Sequence, residues 1–136
     1  MGEAPELRFH AEALRILAVA PRLDPGVSSR IAAAEAAAGR GLAAAVKEWY
    51  SLTGAEELLT LGDNACGVAA LDDFLAGFVR AVPWIEFYGP RRVNTGYQAF
   101  VVLDGSDDPP VRVDGDSGTV PFAKYVRGLA QYKAQE

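Results

Sequence analysis

Apolar positions recur at helical spacing through the first half of the chain and alternate through much of the second. Leu7, Ala11, Leu14 and Ala18, widened by Ile16 and Leu17, form one stripe over residues 6 to 19, which predicts an amphipathic helix ended by Pro21. Asp24-Pro25 reads as an N-cap with proline at the first helical position, and Val27, Ile31, Ala34 and Ala38 mark one face of a second helix that Gly39 stops. After Gly41 the spacing resumes with Leu42, Val46, Trp49 and Tyr50, and Gly54 closes this third helix from the C′ position. A short turn of helix over residues 55 to 60 leads into a loop over 61 to 67, where two glycines flank Asp63-Asn64. Leu71, Phe74, Leu75 and Phe78 then give another short helical face, with Asp72 and Asp73 suited to its first turn.

The period changes at Pro83. Trp84-Ile85-Glu86-Phe87-Tyr88 alternates as a strand until Gly89-Pro90 turns the chain. Asn94 and Gly96 suit a turn, and the β-branched and aromatic run from Tyr97 to Leu103 predicts a strand buried on both faces. Pro109-Pro110 cannot donate to a ladder, so the chain leaves the sheet there and returns as a short strand over Val111 to Val113, making a hairpin with a long acidic turn. Thr119 is placed to cap a last helix opened by Pro121, with Phe122, Tyr125, Val126, Leu129 and Tyr132 on its apolar face. Helices first, an antiparallel sheet built on the central hairpin, and a closing C-terminal helix make an α+β pattern. A chain of 136 residues, half of them hydrophobic, is enough for one domain with one core, so residues 1–136 read as a single domain with residues 1–22 as an N-terminal helical extension.

Charge sharpens this picture. From Asp104 to Asp116 five aspartates face one arginine, a balance of −4 within a chain total of −5, so the rest of the chain is nearly neutral. Turn chemistry and solubility account for acidic residues in turns generally. Gathered on one stretch, they also form a landing site for a basic partner, and Asp104, Asp107, Asp108, Asp114 and Asp116 are the candidate partner-binding residues. Tyr50 joins them, because adjacent helical residues point about 100° apart: Trp49 reads as the core anchor and Tyr50 as a rim contact. An isoelectric point near 4.9 argues against nucleic acid and anionic membranes as partners. No apolar run approaches the ~20 residues of a membrane span. The acidic start of the sequence is unlike a signal peptide and fails the myristoylation pattern at Glu6, which places the chain in the cytoplasm.

Catalytic chemistry finds little to stand on. The one cysteine, Cys66, has acidic sequence neighbours and no nearby base, so it reads as a semi-buried inert thiol. The one histidine, His10, lies beside an apolar helical face and reads as a partly buried or surface imidazole. Asp104-x-Ser106-x-Asp108 and Asp114-x-Asp116 begin like calcium loops. The first then has Pro109 and Gly115, and the second Thr119 and Tyr125, where the turn glycine and the bidentate glutamate belong. Gly39-Arg40-Gly41 lacks the third glycine of a dinucleotide loop and does not leave a strand. The expectation is a chain without metal, cofactor or enzymatic activity.

Two stretches taken together resemble a known family. Residues 31 to 39 followed by residues 42 to 54, which include Glu48-Trp49-Tyr50, are similar to the paired-helix signature of the SUKH superfamily. That superfamily includes the yeast cell-wall-synthesis regulator and many bacterial immunity proteins. Asn94-x-Gly96, Phe100 and Asp108-Pro109-Pro110-Val111 resemble its second signature, with a helix expected near Phe122 to Tyr125. The resemblance spans residues 27 to 130 and departs from the family pattern at Ala43, Val93, Thr95 and Phe100. It implies an α+β domain that is not an enzyme and is encoded beside a polymorphic toxin, whose toxin domain, such as a basic nuclease, it binds and blocks. The alternative is a cytosolic scaffold or regulatory protein-binding module with no toxin partner.

Overall fold

The computed structural model describes residues 6–62, 66–90, 98–113 and 118–136. Three helices come first: α1 (Ala11–Leu17), α2 (Pro25–Ala38) and α3 (Ala44–Tyr50). They are followed by β1 (Cys66–Val68), α4 (Leu71–Val79), β2 (Trp84–Pro90), β3 (Ala99–Val102), β4 (Pro110–Val113), β5 (Thr119–Pro121) and α5 (Phe122–Ala134). The strands form one antiparallel sheet in the order β1-β2-β3-β4-β5, so each pairs with its neighbour in sequence. The α+β class and the closing helix are as the sequence predicts.

Local chemistry explains both ends of α2. Asp24 caps α2 by accepting the Gly26 amide, Pro25 follows at the first helical position, and Gly39 ends the helix at φ +72°. The first helix is shorter than its apolar stripe, because the chain turns left-handed at Ala18 before Pro21 is reached. The third begins at Ala44 and is capped at Ser51, three residues before Gly54, whose φ of +80° serves the turn beyond. The short strands β1 and β5 were not expected. Where the sequence predicts a loop over 61 to 67, Leu61 bridges Cys66, and Cys66 to Val68 pairs with Tyr88 to Pro90; residues 63–65 lie outside the described residues.

The core lies between the helices and one face of the sheet. Trp49, Phe74, Phe78, Phe87, Phe122, Ile31, Leu59, Val46 and Val126 are fully buried. Helix α1 packs on α5 and α2 on α4, with α4 and α5 lying against the sheet. Tyr50 is also buried, which corrects its reading as a rim contact. Its ring meets Phe74 and Phe87 at centroid distances of 5.4 and 5.8 Å, and its hydroxyl donates to the Ala69 carbonyl at 2.8 Å. Burial holds the phenol well above its ordinary pKa. Both aromatics of Glu48-Trp49-Tyr50 therefore face inward. Glu48 accepts the backbone N–H groups of Arg8, Phe9 and His10 at 2.7 to 2.9 Å, clasping the chain that leads into α1.

Candidate functional site: an open sheet face beside an acidic turn

Alternation on the central strands separates a covered face from an open one. Ile85, Ala99, Val101 and Val111 are buried under the helices, whereas Trp84 is 51% exposed, Arg112 is exposed and Phe100 and Val102 are half-buried. Over Ala99–Val102 this corrects the expectation that the strand over Tyr97 to Leu103 is buried on both faces; Tyr97, like the turn expected at Asn94 and Gly96, lies outside the described residues. Helices cover one side of this antiparallel sheet, and a β-branched run alone does not distinguish the two cases.

Register assembles the open face into two rows. Trp84 pairs with Val102, and Pro110 with Pro121 beyond it on the same end of the sheet. Glu86 pairs with Phe100, Phe100 with Arg112, and Arg112 with Thr119. The first row is apolar and the second mixed. The Arg112 guanidinium stacks over the Trp84 ring at 5.2 Å, joining the rows, and Gln98 donates to Glu86 at the other limit of the patch.

The β3–β4 turn borders the apolar row, since it begins directly after Val102 and ends at Pro110. Its carboxylates have different tasks. Asp104 accepts the amide and hydroxyl of Ser106, and these bonds hold its carboxyl below the usual carboxylate range. Asp107 exposes its side chain, while its backbone carbonyl accepts the Ala45 amide at the start of α3 at 2.8 Å. Asp108 is half-buried and accepts the Ala123 amide at 2.8 Å, next to a bond from the Phe122 amide to the Pro109 carbonyl at 2.9 Å. It thus does the capping expected of Thr119, which lies in β5 instead. Turn, α3 and α5 are fastened together by Asp107 and Asp108, leaving the Asp104 and Asp107 carboxylates facing outward.

The acidic stretch is therefore not one turn. Strand β4 follows Asp108, and Val113 pairs with Ala99 at its other end. Asp114 and Asp116 lie outside the described residues. Of the sequence-predicted partner residues, the structure brings together Asp104, Asp107 and Asp108, moves Tyr50 into the core, and adds Trp84, Phe100, Val102 and Arg112. Those four were legible as alternate positions of strands, and what the sequence lacked was the side on which the helices pack.

Behind the turn, on the helix side, a cleft of about 320 Å³ opens between Arg40, Leu42, Phe78, Leu103 and Asp107. Its one cation is already engaged, because Arg40 donates to the Phe78 carbonyl at 2.6 Å and stacks over that ring at 4.5 Å. His10 is fully buried and not partly exposed, and Cys66 is half-buried in β1. Among the described residues no cluster of His, Cys, Asp and Glu has the arrangement to hold a metal ion, and no helix is long and apolar enough to cross a membrane. Comparison of the chain with protein-family models, with curated proteins and with solved structures returns no match.

Proposed function

We propose that this chain is a SUKH-type immunity protein that binds a basic toxin domain and blocks it stoichiometrically, using the open sheet face and the adjoining acidic turn. The observation that carries the reading is the half-exposed Trp84, set in an apolar row beside two outward-facing carboxylates, Asp104 and Asp107. A large aromatic ringed by polar groups is the usual composition of a binding hot spot. Acidic residues at its margin speed encounter with a basic surface more than they add affinity. An interface of about 800 Å² per partner is enough for a specific complex, and blocking needs no chemistry from this chain. The paired-helix and Asp108-Pro109-Pro110-Val111 resemblance supplies the toxin-neutralising class of partner.

The test begins with the neighbouring coding sequence: a large secreted protein with a toxin-like C-terminal domain supplies the partner to be assayed, and its absence would favour the scaffold reading. The expected result is a one-to-one complex that suppresses toxin activity, with Trp84→Ala weakening it at least tenfold while the melting temperature holds. A complex in which Trp84→Ala and Asp104→Asn/Asp107→Asn bind as wild type would move the interface elsewhere. A domain that neither binds nor loses activity would remove the immunity reading.

A further inference from the structure

Beneath the acidic turn lies a group that partner binding does not use. His10 is fully buried, and its Nε2 donates to the Ala45 carbonyl at 2.7 Å. That bond fixes the neutral tautomer with the proton on Nε2 and leaves Nδ1 a bare acceptor. Nδ1 is enclosed without a hydrogen-bond partner among the described residues. Trp49 and Phe122 close around the ring edge-on, at centroid distances of 5.4 and 5.6 Å. The charges that face it are Glu48 from α3 and Asp108 from the β3–β4 turn, and α5 presents Phe122. Ala45 joins ring to turn, its carbonyl accepting from His10 and its amide donating to the Asp107 carbonyl.

A proton arriving at Nδ1 creates a buried donor and a buried charge with no acceptor in place, an arrangement that cannot persist without movement. The two facing carboxylates are not equally free to answer it. Glu48 is held by the N–H groups of Arg8, Phe9 and His10, whereas among the described residues Asp108 accepts one, from Ala123. We propose that His10 is a proton-operated latch under the turn: protonated at Nδ1, it draws Asp108 off the Ala123 amide and loosens the turn's seat on α5 and, through Asp107, on α3. Control of partner binding by this latch rests on the function proposed above; the latch itself does not. Burial keeps the imidazole below the ordinary histidine value. The latched form therefore binds fewer protons than the unlatched one, so seating is complete at neutral pH and weakens as pH falls through about 6.5. For one proton the bias changes by at most about tenfold per pH unit, and it levels off below the buried value.

The chain has a single histidine, so its ring resonances titrate without ambiguity. The experiment is amide hydrogen exchange and ring titration by NMR on the free protein between about pH 5 and 8, with rates corrected for intrinsic exchange. Opening at the amides of Ala45, Phe122 and Ala123 should rise as pH falls below about 6.5, by up to about tenfold per pH unit, and level off once the latched ring itself titrates, while the amides of β2 and α4 hold. His10→Gln, which keeps a donor and does not titrate, should remove the dependence. If that variant fails to fold, Asp108→Asn, which keeps the Ala123 bond without the charge, should weaken it. The latch is overturned by an even loss of protection across all elements, by protection at Ala123 that stays constant between about pH 8 and 5, or by pH dependence that survives in the folded variant. No partner is present, so the outcome is separate from whether the turn binds one.

Discussion

Three consecutive residues of α3 perform three separate jobs. Glu48 clasps the chain at residues 8 to 10, Trp49 fills the core against His10, and Tyr50 reaches the Ala69 carbonyl across from α4. The Trp49 indole N–H is buried without an acceptor among the described residues, so among them the side chain contributes to stability through packed area and not through polar pairing. Trp49→Ala should cost on the order of 3 to 5 kcal/mol in a denaturant titration, through lost burial and the cavity left behind. Trp49→Phe should cost clearly less, because it keeps much of the apolar contact and removes an unsatisfied donor. Equal losses in the two variants would show that the indole N–H has a partner that matters. The role of Trp49 was legible from its place on a helical stripe. That of Glu48 was not, because its partners are some forty residues away in sequence and are backbone amides, which carry no side-chain signature.

Among the elements, legibility follows how local the controlling chemistry is. Asp24-Pro25 and Gly39 bound α2 through contacts within a few residues, and the helix lies where those residues put it. The start of α5 is set from a distance, by Asp108 and Pro109 of the preceding turn, so Thr119 offered a local cap that the fold does not use. A tertiary cap yields a contrast that a merely acidic turn would not. Asp108→Ala should lower stability by about 1 kcal/mol or somewhat more, as cap removals do, whereas Asp107→Ala, which keeps its backbone bond to Ala45, should fall within about 0.5 kcal/mol of wild type. Thermal unfolding of the two variants side by side decides it, and equal stability would mean that Asp108 does not hold α5.

At the scale of the molecule, electrostatics is divided by architecture. Helices lie on one side of the sheet, and the outward-facing Asp104 and Asp107 sit in the β3–β4 turn, at the end of the sheet where Trp84 of β2 pairs with Val102 of β3. Charge complementarity at such an edge acts over a Debye length of about 8 Å at physiological salt, so it guides approach and contributes little once the partners are in contact. Asp104→Asn/Asp107→Asn should therefore slow association with a basic partner and flatten the salt dependence of that rate, with dissociation little changed. Asn at position 104 still accepts from Ser106, so the turn should keep its shape. Identical association rates at low and high salt would reduce these carboxylates to turn chemistry and solubility.

The irregularity in β2 bears on how such a surface could be diversified. Pairing steps from Glu86–Phe100 to Tyr88–Ala99, so Phe87 and Tyr88 both turn inward and the strand changes phase between them. Up to Glu86 every second residue belongs to the outer patch, and beyond it the strand belongs to the interior. A combinatorial display library could therefore randomise Trp84, Phe100, Val102, Arg112 and Thr119 together with little risk to folding. The same library extended past residue 86 would return mostly unfolded clones. New binding specificities should then be obtainable from one half of this strand, and the other half would have to be inherited unchanged.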